Sequence, residues 1–159
     1  RHRARITVDN FLGYVTRGQY DKTLIHRVEE GYLIQGGGFM TNYTDVEPDT
    51  PIFNESGNGL KNKEGTIAMA KQLGDAHSAT NQFFINLNNN TNLNPGSSWG
   101  YAVFGHVVQG MEVVDDIRFT PTGAQPPFRK DVPQETIEIL SINVVEKAPT
   151  PDTVDKADS

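Results

Sequence analysis

Arg27 stands in the run Thr23–Val28, whose β-branched and apolar residues read as a strand. Alternation along that strand puts Ile25 and Arg27 on one face and His26 and Val28 on the other. An arginine there is either a solvated surface residue, the ordinary case, or a donor that faces a site. Gln35, Gln82 and the pair Phe83-Phe84 pose the same choice, because an amide beside large apolar rings either satisfies a buried partner or lines a pocket. Other chemistries have less behind them. Gln35-Gly36-Gly37-Gly38 lacks the Lys-Ser/Thr of a P-loop, so it reads as backbone that turns tightly or is closely approached. His2, His26, His77 and His106 lie far apart without metal-ligand spacing, and no metal is expected. Ser78 and Ser97 lack a nucleophile elbow. The absence of cysteine removes disulfides, thiolate zinc sites and thiol catalysis together.

The elements that would position these residues are short. With 159 residues the chain has room for one core, and a net charge of −6 opposes general nucleic-acid binding, which needs a basic footprint. No apolar run approaches the roughly 20 residues of a membrane span. Thr7–Gly18 reads as a helix from the spacing of Val8, Phe11, Leu12 and Val15, closed by Gly18. Strand-like runs follow at Thr23–Val28, Tyr32–Gln35, Gly65–Ala70, Gln82–Asn86 and Ala102–Val107, then a helix at Gly110–Ile117. Thr136–Val145 reads as a long strand with apolar residues of both parities, which implies a bulge or burial on two sides. Thr41–Lys63 and Asn88–Gly100 are long irregular stretches of the kind that carry function. Residues 146–159 read as a disordered tail to a domain spanning 1–145. The expected class is mainly β, a barrel or sandwich with two helices.

The string from Ile25-His26-Arg27-Val28 through Gln35-Gly36-Gly37-Gly38-Phe39 resembles the signature of the cyclophilin family of peptidyl-prolyl cis–trans isomerases. So do Asn54-Glu55, Asn58-Gly59-Leu60, Gly65-Thr66-Ile67-Ala68-Met69-Ala70, Ser78 to Asn86 and Tyr101-Ala102-Val103-Phe104-Gly105. These blocks occur in family order from about Ile6 to Val145, and their wording is closest to the bacterial branch. The resemblance implies an antiparallel β-barrel with two helices and no cofactor. It also implies an enzyme that accelerates X–Pro rotation in unfolded or partly folded protein chains and so assists folding as a chaperone does.

Residue by residue, the resemblance makes Arg27 the donor to the prolyl nitrogen and Gln35 the glutamine that steadies it. Tyr32, Leu33, Phe84 and Leu93 match the apolar wall around the proline ring. Ala70, Lys71 and Gln82 match the rim that receives the substrate backbone, Lys71 through its main chain. Tyr101 stands where many eukaryotic relatives carry histidine. Tyr32 replaces the usual phenylalanine, adding a hydroxyl that needs a partner, and Leu33 replaces methionine at similar volume. Asn92 stands where cyclosporin-sensitive relatives have tryptophan, which implies weak cyclosporin binding.

Two other readings compete: a non-catalytic module or holdase that binds proline-containing segments, and a sugar- or nucleotide-binding β-domain, which has only the glycine run behind it. A monomer is the default, and bacterial cytoplasm and periplasm fit equally. Family members open with a two-stranded hairpin before the first helix, whereas Arg1–Arg5 does not resemble those strands. About six of eight strands are therefore expected, with an unpaired edge along Thr136–Val145.

Overall fold

The computed structural model describes residues 2–145; the stretch 146–159, read above as a tail, lies outside them. Helix α1 spans Arg5–Thr16 and buries Tyr14 and Val15, with Gly18 at φ +68° just beyond its end. Its first turn is closed from a distance, because Glu55 Oε1 accepts from both the N–H and the hydroxyl of Thr7 at 2.6 Å.

Six strands form one antiparallel sheet: β1 (Thr23–Glu29), β2 (Leu33–Met40), β3 (Thr66–Met69), β4 (Phe83–Asn86), β5 (Val103–His106) and β8 (Glu138–Ile139), in the order β5-β3-β4-β2-β1-β8. Helix α2 (Met111–Arg118) follows β5, and β6 (Thr122–Gln125) and β7 (Phe128–Pro133) form a separate ribbon. The molecule is thus mainly β with two helices, as the short runs of β-branched and aromatic residues imply.

The pairing of β1 with β2 shifts twice, between Thr23 and Ile25 and again between Ile25 and Arg27, and the second shift bears on the site. Ile25 pairs with Gly36 and Arg27 with Gln35, so β1 advances two residues while β2 advances one, a bulge around His26. Ile25 and Val28 consequently pack in the same cluster, with Ile34, Leu87 and Val114. The expectation that Ile25 and Arg27 share a face is corrected: the bulge turns Arg27 away from the core side that holds Ile25.

Three apolar clusters fill the molecule. The first joins α1 to the sheet through Tyr14, Tyr20, Met69 and Phe83, and the second joins α2 to β1 and β2 through Val114. The third, Leu33, Ala68, Phe84, Leu93 and Val103, faces the cleft described below. Phe83 and Phe84 therefore serve opposite faces of β4, one core and one cleft.

Two sequence expectations change. Only Glu138–Ile139 of the expected long strand Thr136–Val145 is strand. Ile137, Ile139 and Ile142 pack inward, while Leu140 and Val144 are exposed, so burial is one-sided. The ribbon β6–β7 escaped the sequence reading because Pro121, Pro126, Pro127 and Pro133 interrupt it. It packs on β1, with Phe128 in contact with His26 and Phe39.

Candidate active site

One row across the sheet carries the site. Arg27 on β1 is paired with Gln35 on β2, Gln35 with Phe84 on β4, and Phe84 with Ala68 on β3. Side chains opposite one another in a ladder lie on the same face, so the donor, the amide and the ring converge. The adjacent row, Glu29–Leu33–Asn86, sits two residues along each strand and faces the same way.

The guanidinium of Arg27 is held at two nitrogens. One donates to Gln35 Oε1 at 3.2 Å, and another is ion-paired with Glu29. Arginine can only donate, so this contact fixes the Gln35 amide with its oxygen toward Arg27, and Gln35 Nε2 then donates to Gln82 Oε1 at 2.8 Å. Below the guanidinium lies the Tyr32 ring, 5.9 Å from its carbon. Glu29 was missed in the sequence because nothing in a Glu29-Glu30 pair distinguishes a carboxylate on a site face from one on a solvated face.

Arg27, Gln35, Tyr32, Leu33 and Phe84 line a cavity of about 270 Å³ together with Ala70, Lys71, Leu93 and Tyr101. Leu73, also unpredicted, completes its rim and is 91% exposed. Gln82 is in the adjoining cavity of about 130 Å³, which shares Gln35, Ala70 and Lys71 and is bounded by Gln72, Ser78 and Thr80. All ten residues singled out from the sequence are thus brought to one cleft.

Of the two irregular stretches, Asn88–Gly100 gives Leu93 to the cavity wall, while Thr41–Lys63 stands behind it through Asn62. Phe84 and Tyr101 meet edge to face at 5.7 Å, and Lys71 Nζ lies 4.4 Å from the centre of the Tyr101 ring. Burial pushes the Tyr101 hydroxyl up from its ordinary pKa, with the neighbouring Tyr32 adding to the effect. The extra hydroxyl of Tyr32 is satisfied by Asn92 Nδ2 at 3.2 Å. The long turn after β4 is anchored by buried amides: Asn90 Nδ2 donates to Tyr32 O and Asn86 Oδ1, and Asn86 Nδ2 to Asn62 Oδ1. Asn62 Nδ2 in turn reaches Leu93 O and Tyr101 O, both at 3.2 Å.

The glycine run owes its composition to close approach. A Cβ at Gly36 would lie 2.5 Å from Leu24 O, and one at Gly38 would lie 2.5 Å from Gln82 Cγ. Gly38 therefore makes the space in which Gln82 reaches Gln35. Among the described residues no three metal-ligating side chains cluster, and no helix is long and apolar enough to cross a membrane.

The arrangement offers fixed donors beside an apolar pocket, with no nucleophile paired to a base. Comparison with known proteins agrees in kind. Residues 2–144 match the family model described as cyclophilin type peptidyl-prolyl cis-trans isomerase/CLD. The chain is 49% identical over 144 residues to peptidyl-prolyl cis-trans isomerase B of Escherichia coli, covering 88% of this chain and 87% of that protein. It is 46% identical over 143 residues to an isomerase of Streptomyces antibioticus, covering 87% and 85%. A cyclophilin-type isomerase of Cryptosporidium parvum, solved in the presence of the dipeptide Ala-Pro, has a similar fold. Its TM-score is 0.68 at 23% identity, with 92% of this chain and 89% of that one covered.

Proposed function

The chain belongs to the cyclophilin-type peptidyl-prolyl cis–trans isomerase family and is an isomerase of X–Pro bonds; from that premise we propose that Arg27 and Gln35 carry the chemistry. The substrate is a proline-containing polypeptide segment, unfolded or partly folded, whose ring enters the apolar end of the cleft against Phe84, Leu33 and Leu93.

The task is kinetic. Resonance gives the amide a rotational barrier of about 18–20 kcal/mol, while the two isomers differ by only about 0.5–1 kcal/mol. An acceleration on the order of 10⁵ requires removing ~7 kcal/mol. As the bond twists, the prolyl nitrogen loses conjugation and regains a lone pair. A guanidinium N–H aimed at that lone pair binds the twisted state better than either planar one. One charge-assisted hydrogen bond supplies about 1.5–3 kcal/mol. The remainder comes from preorganisation and from removing the amide from water, which otherwise stabilises its planar, polar form. Ala70, Lys71 and Gln82 receive the substrate backbone on the rim.

The observation that carries this reading is the double anchoring of Arg27, by Gln35 at 3.2 Å and by Glu29, at the edge of a pocket walled by apolar side chains. Exchange between cis and trans forms of an Ala-Pro peptide, followed by NMR, tests it. Arg27→Ala is expected to bind the peptide and lose the acceleration by at least about 100-fold, the weight of one preorganised donor. Unchanged exchange in Arg27→Ala would remove Arg27 from the chemistry. Peptide binding without acceleration in the unaltered protein would favour a holdase.

A further inference from the structure

Three aromatic rings form a group of their own on the flank of the cleft. Phe53 and His77 are stacked at 4.8 Å and 14°, and Trp99 stands edge-on to them at 5.5 Å and 4.9 Å. They are not a core: Phe53 is 53% exposed and Trp99 46%. Rings in mutual edge and face contact leave their outer surfaces to water, and aromatic surface of this kind gains most from a further ring or a large aliphatic group.

The group is fixed rather than collapsed. Asn54, only 6% exposed, donates through Nδ2 to Ala76 O at 3.0 Å and to Gly100 O at 2.9 Å. Its backbone N–H donates to His77 Nδ1 at 3.0 Å, and its Oδ1 accepts from the Ser56 N–H at 2.8 Å. A single buried amide therefore ties together the segments that carry Phe53, His77 and Trp99, so little ordering remains to be done when a ligand arrives.

Two short segments of chain join the platform to the cleft. The loop that gives Ala70, Lys71 and Leu73 to the cavity carries His77 at its far end. Trp99 is followed after one residue by Tyr101, a cavity wall, so their Cα atoms are at most about 7 Å apart. Ser78, the chain neighbour of His77, lines the adjoining cavity, and an extended peptide advances about 3.3 Å per residue, so a side chain two or three residues from the proline lies about 7–10 Å along the chain from it.

We propose that Phe53, His77 and Trp99 form a second subsite, which takes an aromatic or large aliphatic side chain of the substrate polypeptide two or three residues from the proline. It rests on the reading that the cavity beside Arg27 holds the proline ring. Because the platform is preformed, an aromatic side chain there tightens binding about fivefold, the range of one aromatic pair, and the effect falls on KM.

Matched peptides test this, with Phe or Ala placed two or three residues from a single proline on either side. The Phe peptide is expected to show about fivefold higher kcat/KM, through KM, in at least one placement. It also changes the emission of Trp99, the single tryptophan of the chain. Phe53→Ala, and independently His77→Ala, brings the Phe-to-Ala ratio to about one. A ratio of one in the unaltered protein, or a preference that survives in both variants, overturns the proposal. The two readings fail separately. In Arg27→Ala the Phe peptide still changes Trp99 emission if the platform is a subsite, whereas exchange that persists in that variant removes only the role of Arg27.

Discussion

Acidification from pH 7.5 to 4.5 is expected to destabilise this protein through one buried imidazole next to the site. His26 is 5% exposed, its Nδ1 has no partner, and its ring is packed against Phe39 at 4.8 Å and Phe128 at 5.2 Å. Burial, helped by the adjacent Arg27 charge, pushes its pKa down from 6.5 to about 4. Between those values the unfolded chain binds a proton that the folded one refuses, so stability is flat above pH 6.5 and falls as pH drops toward 4. By pH 4.5 the loss reaches about 2.5 kcal/mol, a large part of a typical domain's stability of roughly 5–15 kcal/mol. Urea denaturation of the unaltered protein and of His26→Leu, at matched pH values, isolates this from carboxylates that titrate in both. The variant has its own constant offset, so the quantity to follow is how the difference between the two changes with pH. A difference that stays constant to within 0.5 kcal/mol or so across this range would refute the reasoning, since urea extrapolation resolves changes of that order.

Gly38→Ala should leave the melting temperature close to that of the parent, because the clash falls on the flexible Gln82 side chain at 2.5 Å, while lowering kcat about tenfold by displacing Gln82 from Gln35. Equal activity in a peptide-exchange assay would show that Gln82 needs no such room. Glu29→Val leaves Arg27 held by Gln35 alone and should lower kcat about threefold, with Glu29→Gln restoring most of it because an amide oxygen still accepts; a Val variant as fast as the parent would mean that Glu29 orients nothing. Cyclosporin should bind weakly because Asn92, which reaches Tyr32 Oη at 3.2 Å, offers an amide where an apolar ligand seeks a ring. Calorimetry giving a submicromolar Kd would contradict that.

The sequence revealed the participants of the cleft more fully than the path of the chain between them. Arg27, Gln35 and Phe84 are legible because their neighbours form family blocks, and the structure sets them in one row of the sheet. Their orientation was not legible by counting. The bulge around His26 shifts the parity of β1, and a bulge leaves no mark in a run of apolar residues. The long C-terminal strand failed for a related reason: Leu140 and Val144 have strand-forming side chains but no neighbouring strand to pair with, and pairing rather than propensity makes a strand. Glu29 and Leu73 became visible only once the fold placed them beside Arg27 and on the cavity rim.

The asparagines behind the cleft have a consequence for how such a protein can change. Asn62, Asn86 and Asn90 suspend Tyr32, Leu93 and Tyr101 from one another through amide hydrogen bonds, and every link in that suspension is electrically neutral. Neutral links neither gain nor lose protons in ordinary media and attract no counter-ions, so the spacing of the pocket walls is decoupled from the net charge of −6 carried by the sequence. Exterior charge away from the Arg27–Glu29 pair can therefore be rewritten substitution by substitution, to suit a saltier medium or a different neighbourhood of proteins, while the spacing of Tyr32, Leu93 and Tyr101 is inherited unchanged. Exterior charge and the spacing of those walls are separable traits in this chain.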